Sequence, residues 1–383
     1  MNASSARSAS PRLLLFALVL CQVACGPKST TNRRVVTGTL AADAPPEVTE
    51  RADLTFSWSS GARNQSERDP AGSPYVAWQI DLGTPLVHDL AVHNAQVYTV
   101  GGGDVFCVTA DGHQCWASRQ DAVGGLTVRE AGLAVPTVHE SLVDLEFTGA
   151  VRETHPAGGV IAGSPVTLAG ELVWVTDSGK VVAETGWTVA ASDSAVGRPA
   201  SNAHHIYFGT ETGEVIATSR AQTAWRAVLP GPVVGGLVAT DDRVFAAYRG
   251  ELGRPGGVAA LASDTGAQIW RMPLSEDPAA APALGHALVV ADRSGEIFAF
   301  QPEDGNLVWT AEVVGAPATP PAFGQFGLYL GNADGRLHRF DPDDGGEIWS
   351  IQLGATPSTA PVLLSETVLV GLADGNLVAV GGR

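Results

Sequence analysis

The sequence predicts an all-β chain folded as an eight-bladed β-propeller, and three observations carry that prediction. A turn-rich segment recurs along the chain, a tryptophan closes most of its copies, and an orphan strand near the start matches one missing at the end. The clearest copy runs from Gly315 to Gly354. Its apolar runs, 320–323, 327–331, 336–340 and 347–353, are broken by Asn332-Ala-Asp-Gly335 and by Asp341-Pro-Asp-Asp-Gly-Gly346. Glycine supplies positive φ in such turns and Asp or Asn bonds its own backbone, so each break favours a tight hairpin. Four hairpin-linked strands make one small sheet that cannot bury its faces alone and therefore needs copies of itself.

Those copies are VTDSGKVVAE from Val175, GTETGEVIAT from Gly209, ADRSGEIFAF from Ala291, GNADGRLHRF from Gly331 and GLADGNLVAV from Gly371, each with glycine fifth and an aliphatic residue seventh. The fourth strand is marked by Trp78, Trp116, Trp225, Trp270, Trp309 and Trp349, several of them 38 to 40 residues apart. Four strands in a period of about 40–45 residues are the signature of a propeller. Blade one is expected near 86–92, 97–100, 105–108 and 114–117. Blade two lies within 124–155 and lacks its tryptophan. Blade three, within 160–190, is shortened, with Trp187 too close to Gly179 for the usual place. Blades four to seven end at Trp225, Trp270, Trp309 and Trp349, and blade five carries an extra loop around Glu251–Gly257.

The eighth unit stops after three strands, 359–364, 367–371 and 376–380; its missing tryptophan strand stands at the other end as Tyr75-Val-Ala-Trp-Gln-Ile-Asp81. Pairing that N-terminal strand beside Asn376–Val380 closes the ring and removes exposed sheet edges. Seven blades is the alternative, because units two and three are degenerate.

Upstream, residues 1–24 read as a signal peptide. Arg7 and Arg12 precede the apolar core Leu13–Leu20, which is too short to span a bilayer. Gln22-Val-Ala-Cys25-Gly26 resembles a lipobox, with Cys25 as the lipidated residue and plain secretion after Ala24 as the alternative. Residues 25–74 read as a flexible tether with six basic and six acidic residues; Leu54, Phe56 and Trp58 are its main apolar cluster. Residues 75–383 form the propeller. Formal net charge is −17, and loss of Arg7 and Arg12 with the signal makes the mature chain more negative still. That balance argues against nucleic acid as a partner.

No chemistry-bearing constellation is legible. Asp341-Pro-Asp343-Asp344-Gly-Gly-Glu347 places its glutamate seventh rather than twelfth and coincides with a hairpin turn, so it reads as a turn and not a calcium loop. The nine histidines show no metal spacing; His204-His205 belongs in a connecting loop. Gly101-Gly-Gly103 is a strand-to-strand turn without a following helix, and no Gly-x-Ser-x-Gly elbow occurs. With Cys25 assigned to lipid and Cys21 to the signal, Cys107 and Cys115 remain. They flank Asp111-Gly112, so symmetric pairing about residue 111 sets them opposite one another, and export to an oxidising compartment leads to an expected disulfide between them, with two buried free thiols as the alternative.

The segments Ala260–Trp270, Ala299–Trp309 and Arg339–Trp349 share finer detail: glycine seventh in each, at Gly266, Gly305 and Gly345, and tryptophan last. They resemble the eleven-residue docking motif of the pyrroloquinoline-quinone (PQQ) type propeller repeat. The resemblance implies that the six tryptophans are structural clasps rather than a cofactor box. Two branches of that family bear on function. The quinoprotein dehydrogenases hold PQQ and calcium on the axis; the lipid-anchored propellers of the outer-membrane β-barrel assembly machinery, the BamB branch, hold no cofactor. Size, signal, tether and single-domain layout are similar to the second. The resemblance therefore implies a monomeric, non-catalytic scaffold without cofactor, catalytic residue or metal. It would face the periplasm from the outer membrane and bind protein partners of the cell envelope. The alternatives are a PQQ-dependent oxidoreductase and a ligand- or polysaccharide-binding surface propeller.

Overall fold

The computed structural model describes residues 36–37, 70, 72–192, 194–220, 222–251, 253–324, 327–364 and 366–382. The expected signal peptide, the lipidated Cys25 and the Leu54–Trp58 cluster lie outside these residues. The described chain contains strands and turns and no helix. It forms eight antiparallel sheets, seven of four strands and one of five. They are the blades of a closed propeller. Blades one to seven span 91–119, 127–156, 166–190, 196–228, 238–273, 283–312 and 322–352. Units two and three are each complete sheets, so the ring has eight blades and not seven.

Within a blade the first strand is innermost and the fourth is the outer edge. Blade seven shows the pattern: Ala322–Phe323, Leu328–Gly331, Arg336–Phe340 and Glu347–Gln352, paired in sequence order. The first strands are shorter than the apolar runs imply. In blade one Leu86–Leu90 forms a connection and the strand is only Ala91–His93. The central strands are buried on both faces, as Leu328–Gly331 is throughout, because each blade is sandwiched between two neighbours.

Eight buried apolar clusters result, one at each seam between blades. The seam of blades five and six shows the composition: Phe245, Val258 and Trp270 from one side meet Leu288, Val290 and Phe298 from the other. The smallest cluster, at the seam of blades two and three, is built on Trp174.

Closure occurs in blade eight. Pro74–Asp81 pairs antiparallel with Asn376–Gly382, with Trp78 opposite Ala379 and Asp81 opposite Asn376. The closing strand begins at Pro74, one residue before the expected start, and Pro70 is already docked, its carbonyl accepting from the buried Arg339 guanidinium. Val36–Thr37, from the stretch read as tether, adds a fifth strand outside Trp78 and Gln79.

The closing strand contributes Trp78 to the core, at 5% exposure, with Ile80 at 2%. Deleting residues 74–81 is therefore expected to expose the third strand of blade eight and to yield aggregated protein in size-exclusion chromatography. A soluble monomer with unchanged melting would contradict this closure.

Candidate functional site

Three regions of the ring carry the side chains relevant to function: the outer clasps, the axis and the two loop faces. The clasps follow from register. In blades one, two and four to eight the outer strand carries a one-residue bulge, and the residue after it faces a fixed position on the third strand. That residue is Trp116, Trp225, Trp270, Trp309, Trp349 or Trp78, and in blade two it is Glu153, opposite Asp144. Five of the indoles donate Nε1–H to a carbonyl of the next blade's last turn, at 2.7–2.9 Å: Trp78 to Ala110, Trp116 to Phe147, Trp225 to Ser263, Trp270 to Pro302 and Trp309 to Pro342.

The motif glycine lies beneath each of these rings. A Cβ on Gly266 would stand 2.4 Å from Trp225, and φ there is +70°, so the site excludes other residues twice over. The sixth indole, Trp349, has a buried Nε1 with no partner among the described residues. The matching position in blade eight lies where Pro74 of the closing strand pairs with Gly382, so no hairpin of consecutive residues supplies the carbonyl among the described residues.

The third residue after the bridge that opens each blade stands near the start of that blade's innermost strand. In six blades it is small: Gly125, Ser164, Gly236, Ala281, Pro320 and Ala360. At the matching positions of blades four and one stand Arg198 and Asp89, which form an ion pair across the hole. Asp89 also accepts the Ala360 N–H at 3.1 Å. Burial pulls the Arg198 guanidinium down to about 10, still charged at neutral pH. Burial first and Arg198 second hold the neighbouring His88 below its usual range, so its neutral imidazole accepts the Gly124 N–H at 3.2 Å. The pair closes this end of the axis.

At the other end the first-to-second-strand turns of blades three to six surround an open basin of about 870 Å³. Asn202, Asp241, Asp242, Arg243, His286 and Glu303 line it. Arg243 is paired with Asp242, and His286 is held by the Pro342 carbonyl at 2.9 Å, so the uncompensated carboxylates Asp241 and Glu303 leave the basin net negative. Asn202 shapes the rim by accepting the N–H groups of His204 and His205, both at 2.9 Å. His204-His205 is the connecting loop expected, and Asp341 caps its own turn by accepting the Asp343 N–H at 2.9 Å.

Exposed apolar side chains concentrate elsewhere. Val314, at 85% exposure, Val87, Val138 and Val160 lie on the face that carries the interblade connections, and Val228, at 75%, ends a strand there. The extended loop of blade five, 249–256, is on the same face. A second group, Ile269, Val308 and Ile348, occupies the bulge positions of three consecutive outer strands.

The expected cysteine register needs correcting. The same bulge places Cys107 opposite Trp116 and Val108 opposite Gln114, so Cys115 is the extra residue between them. Both are thiols here, Cys107 buried and Cys115 exposed, with their side chains in hydrogen-bond contact; burial chiefly pushes Cys107 well above the usual thiol range.

The seam of blades two and three lacks the outer-strand tryptophan clasp and holds charges at that position. Arg129 donates to Asp144 and to Glu184 across the seam, both at 2.8 Å, and Arg152 donates to Asp144 at 2.8 Å. His155 stands 3.7 Å from Asp144, and ligand atoms of Asp144, His155 and Glu184 lie within 4.8 Å of one another. No local spacing in the sequence announces this group, because its members come from two blades.

The family description "Outer membrane protein assembly factor BamB" matches residues 254–383. Those residues carry the PQQ-type propeller repeat. No curated protein matches the chain in sequence. Among solved structures it is similar to BamB from Moraxella catarrhalis, at 16% identity and a TM-score of 0.68, over 82% of this chain and 98% of that one. It is also similar to the quinohemoprotein alcohol dehydrogenase of Comamonas testosteroni, at 12% identity and 0.63, over 84% and 79%. Sqt1 of Saccharomyces cerevisiae matches at 11% and 0.66, over 82% and 98%. At these identities the likeness is one of fold.

Two outcomes test the geometry. Asp89→Ala should lower stability in denaturant unfolding by about 1–3 kcal/mol through loss of the carboxylate facing the half-buried Arg198, and the double variant with Arg198→Ala should recover part of that loss. Equal stability of Asp89→Ala and wild type would contradict the axial pair. For the thiols, alkylation without reductant should add no label to protein isolated from an oxidising compartment; two labels would rule out the disulfide.

Proposed function

We propose that this chain is a non-catalytic docking scaffold of the bacterial cell envelope. More specifically, it is a BamB-like factor in outer-membrane protein assembly, anchored by lipid on Cys25 and working as a monomer on the periplasmic side. The observation that carries the reading is the closed axis. PQQ is a flat quinone bearing three carboxylates, so a site for it needs an open slot ringed by cations. The charged axial cation described above, Arg198, is committed to Asp89 and only about a quarter exposed, at 24%. The basin at the other end is open, but its carboxylates would repel such a ligand. These residues do not fit PQQ.

The exposed valines on the interblade face supply what a docking surface requires, apolar contacts presented by loops on a rigid frame. A net charge of −17 argues against nucleic acid and favours partners with complementary basic surface.

Two measurements test the proposal together. Calorimetric titration with PQQ plus calcium should give no saturable heat. Affinity purification from detergent-solubilised envelope should recover an outer-membrane assembly component, and replacing Val87 and Val314 by Asp should lower that yield several-fold. One-to-one PQQ binding with dye-reducing activity would overturn the scaffold reading.

A further inference from the structure

The seam between blades two and three departs from the rest of the ring in a way that the scaffold reading does not use. Where the other clasps put an indole, blade two has Glu153, and the facing third-strand position is the acid Asp144, where five of the other blades have Ala or Cys and blade seven has Arg339. Asp144 is 1% exposed. One of its oxygens takes both arginines, and the other, Oδ1, is buried without a partner. His155 Nε2, on the same blade, is also buried without a partner: its 3.7 Å separation from Asp144 exceeds a hydrogen bond. Glu184, from the last turn of blade three, commits Oε2 to Arg129 and stands on the far side of the same gap.

Two orphaned buried ligand atoms in one gap need a common explanation, since each alone costs on the order of 1–3 kcal/mol. We propose that Asp144, His155 and Glu184 bind a divalent transition-metal ion of the zinc type, which adds a second clasp between blades two and three at the outer-strand position where six other blades carry a tryptophan. The donor set is one imidazole nitrogen and two carboxylate oxygens, with water completing the shell; such mixed nitrogen and oxygen donors suit zinc. Ligand atoms within 4.8 Å of one another reach metal-bond distance by small side-chain rotations.

The arginines do not forbid the ion. They hold Asp144 Oδ2 and Glu184 Oε2, and each carboxylate keeps a second oxygen to offer a cation, so the arginines can act as outer-shell groups that orient the ligands. Three acids (Asp144, Glu184 and Glu153, the last 3.9 Å from His155) against Arg129 and Arg152 leave one net negative charge for the cation. Arg152 is one-third exposed, at 34%, so solvent screens part of its charge.

The test uses the full mature chain, purified without a histidine tag, stripped with chelator and titrated with zinc alone. One equivalent should bind and melting temperature should rise. His155→Gln and Glu184→Gln should each weaken binding at least tenfold and abolish the rise, while His205→Gln, remote from the seam, should change neither. Cobalt should give the visible bands of a low-coordinate nitrogen and oxygen site, lost in His155→Gln. Absence of stoichiometric binding, or equal binding by wild type and both seam variants, would overturn the proposal. PQQ and partner binding are read separately, so failure here leaves the scaffold reading standing.

Discussion

The structure depends on one contact made over and over: an indole laid flat on a glycine of the next blade, with its N–H bonded to a carbonyl in the same turn. Each part has a physical reason. The ring buries roughly 150–250 Å², worth about 4–6 kcal/mol by the area rule, and its one polar atom is satisfied. The glycine leaves room because it has no Cβ, and its positive φ bends the turn so that the carbonyl points at the indole. A blade cannot shield its own faces, so the contact that fixes the spacing of two blades also decides whether either is stable. The axis inherits its width from this spacing, and that width is what a single Arg198–Asp89 pair can bridge.

Much of this was legible in the sequence because the signals are local and repeated. A turn glycine, an aliphatic residue two places on and a tryptophan about forty residues after the last one each report a backbone need that recurs in every blade. The orphan Trp78 strand and the three-stranded final unit announce closure for the same reason. The bulge before each tryptophan was not legible, since an extra residue leaves no mark in composition; it is why Cys115 falls between the positions that symmetric pairing assigned. Trp174 was missed as a clasp because it lies on a second strand and reaches backward, donating to the Ala157 carbonyl at 2.9 Å.

The functional groups were the least legible part. Asp89 and Arg198 are more than a hundred residues apart, and their meeting depends on three intervening blade angles rather than on any motif. The charged seam is similar: Arg129, Asp144 and Glu184 look like ordinary turn and strand charges until two blades are set side by side. The acid-rich basin likewise collects turn residues that each have a local reason to exist. In a repeat protein the frame is written in what the units share, whereas function is written in where single units differ.

The closing strand has a consequence for how the molecule comes into being. Residues 74–81 are synthesised early, and their partner, Asn376–Gly382, follows about three hundred residues later. Seven blades can assemble in order while the eighth waits, so the longest-range pairing in the domain is also the final one, a topology that folds slowly. Until that moment the ring has a gap and the growing molecule has two reactive edges. An early strand-forming segment beside Trp78, such as Val36–Thr37, covers part of the closing strand's outer edge, which gives the unfinished protein a built-in guard against its neighbours.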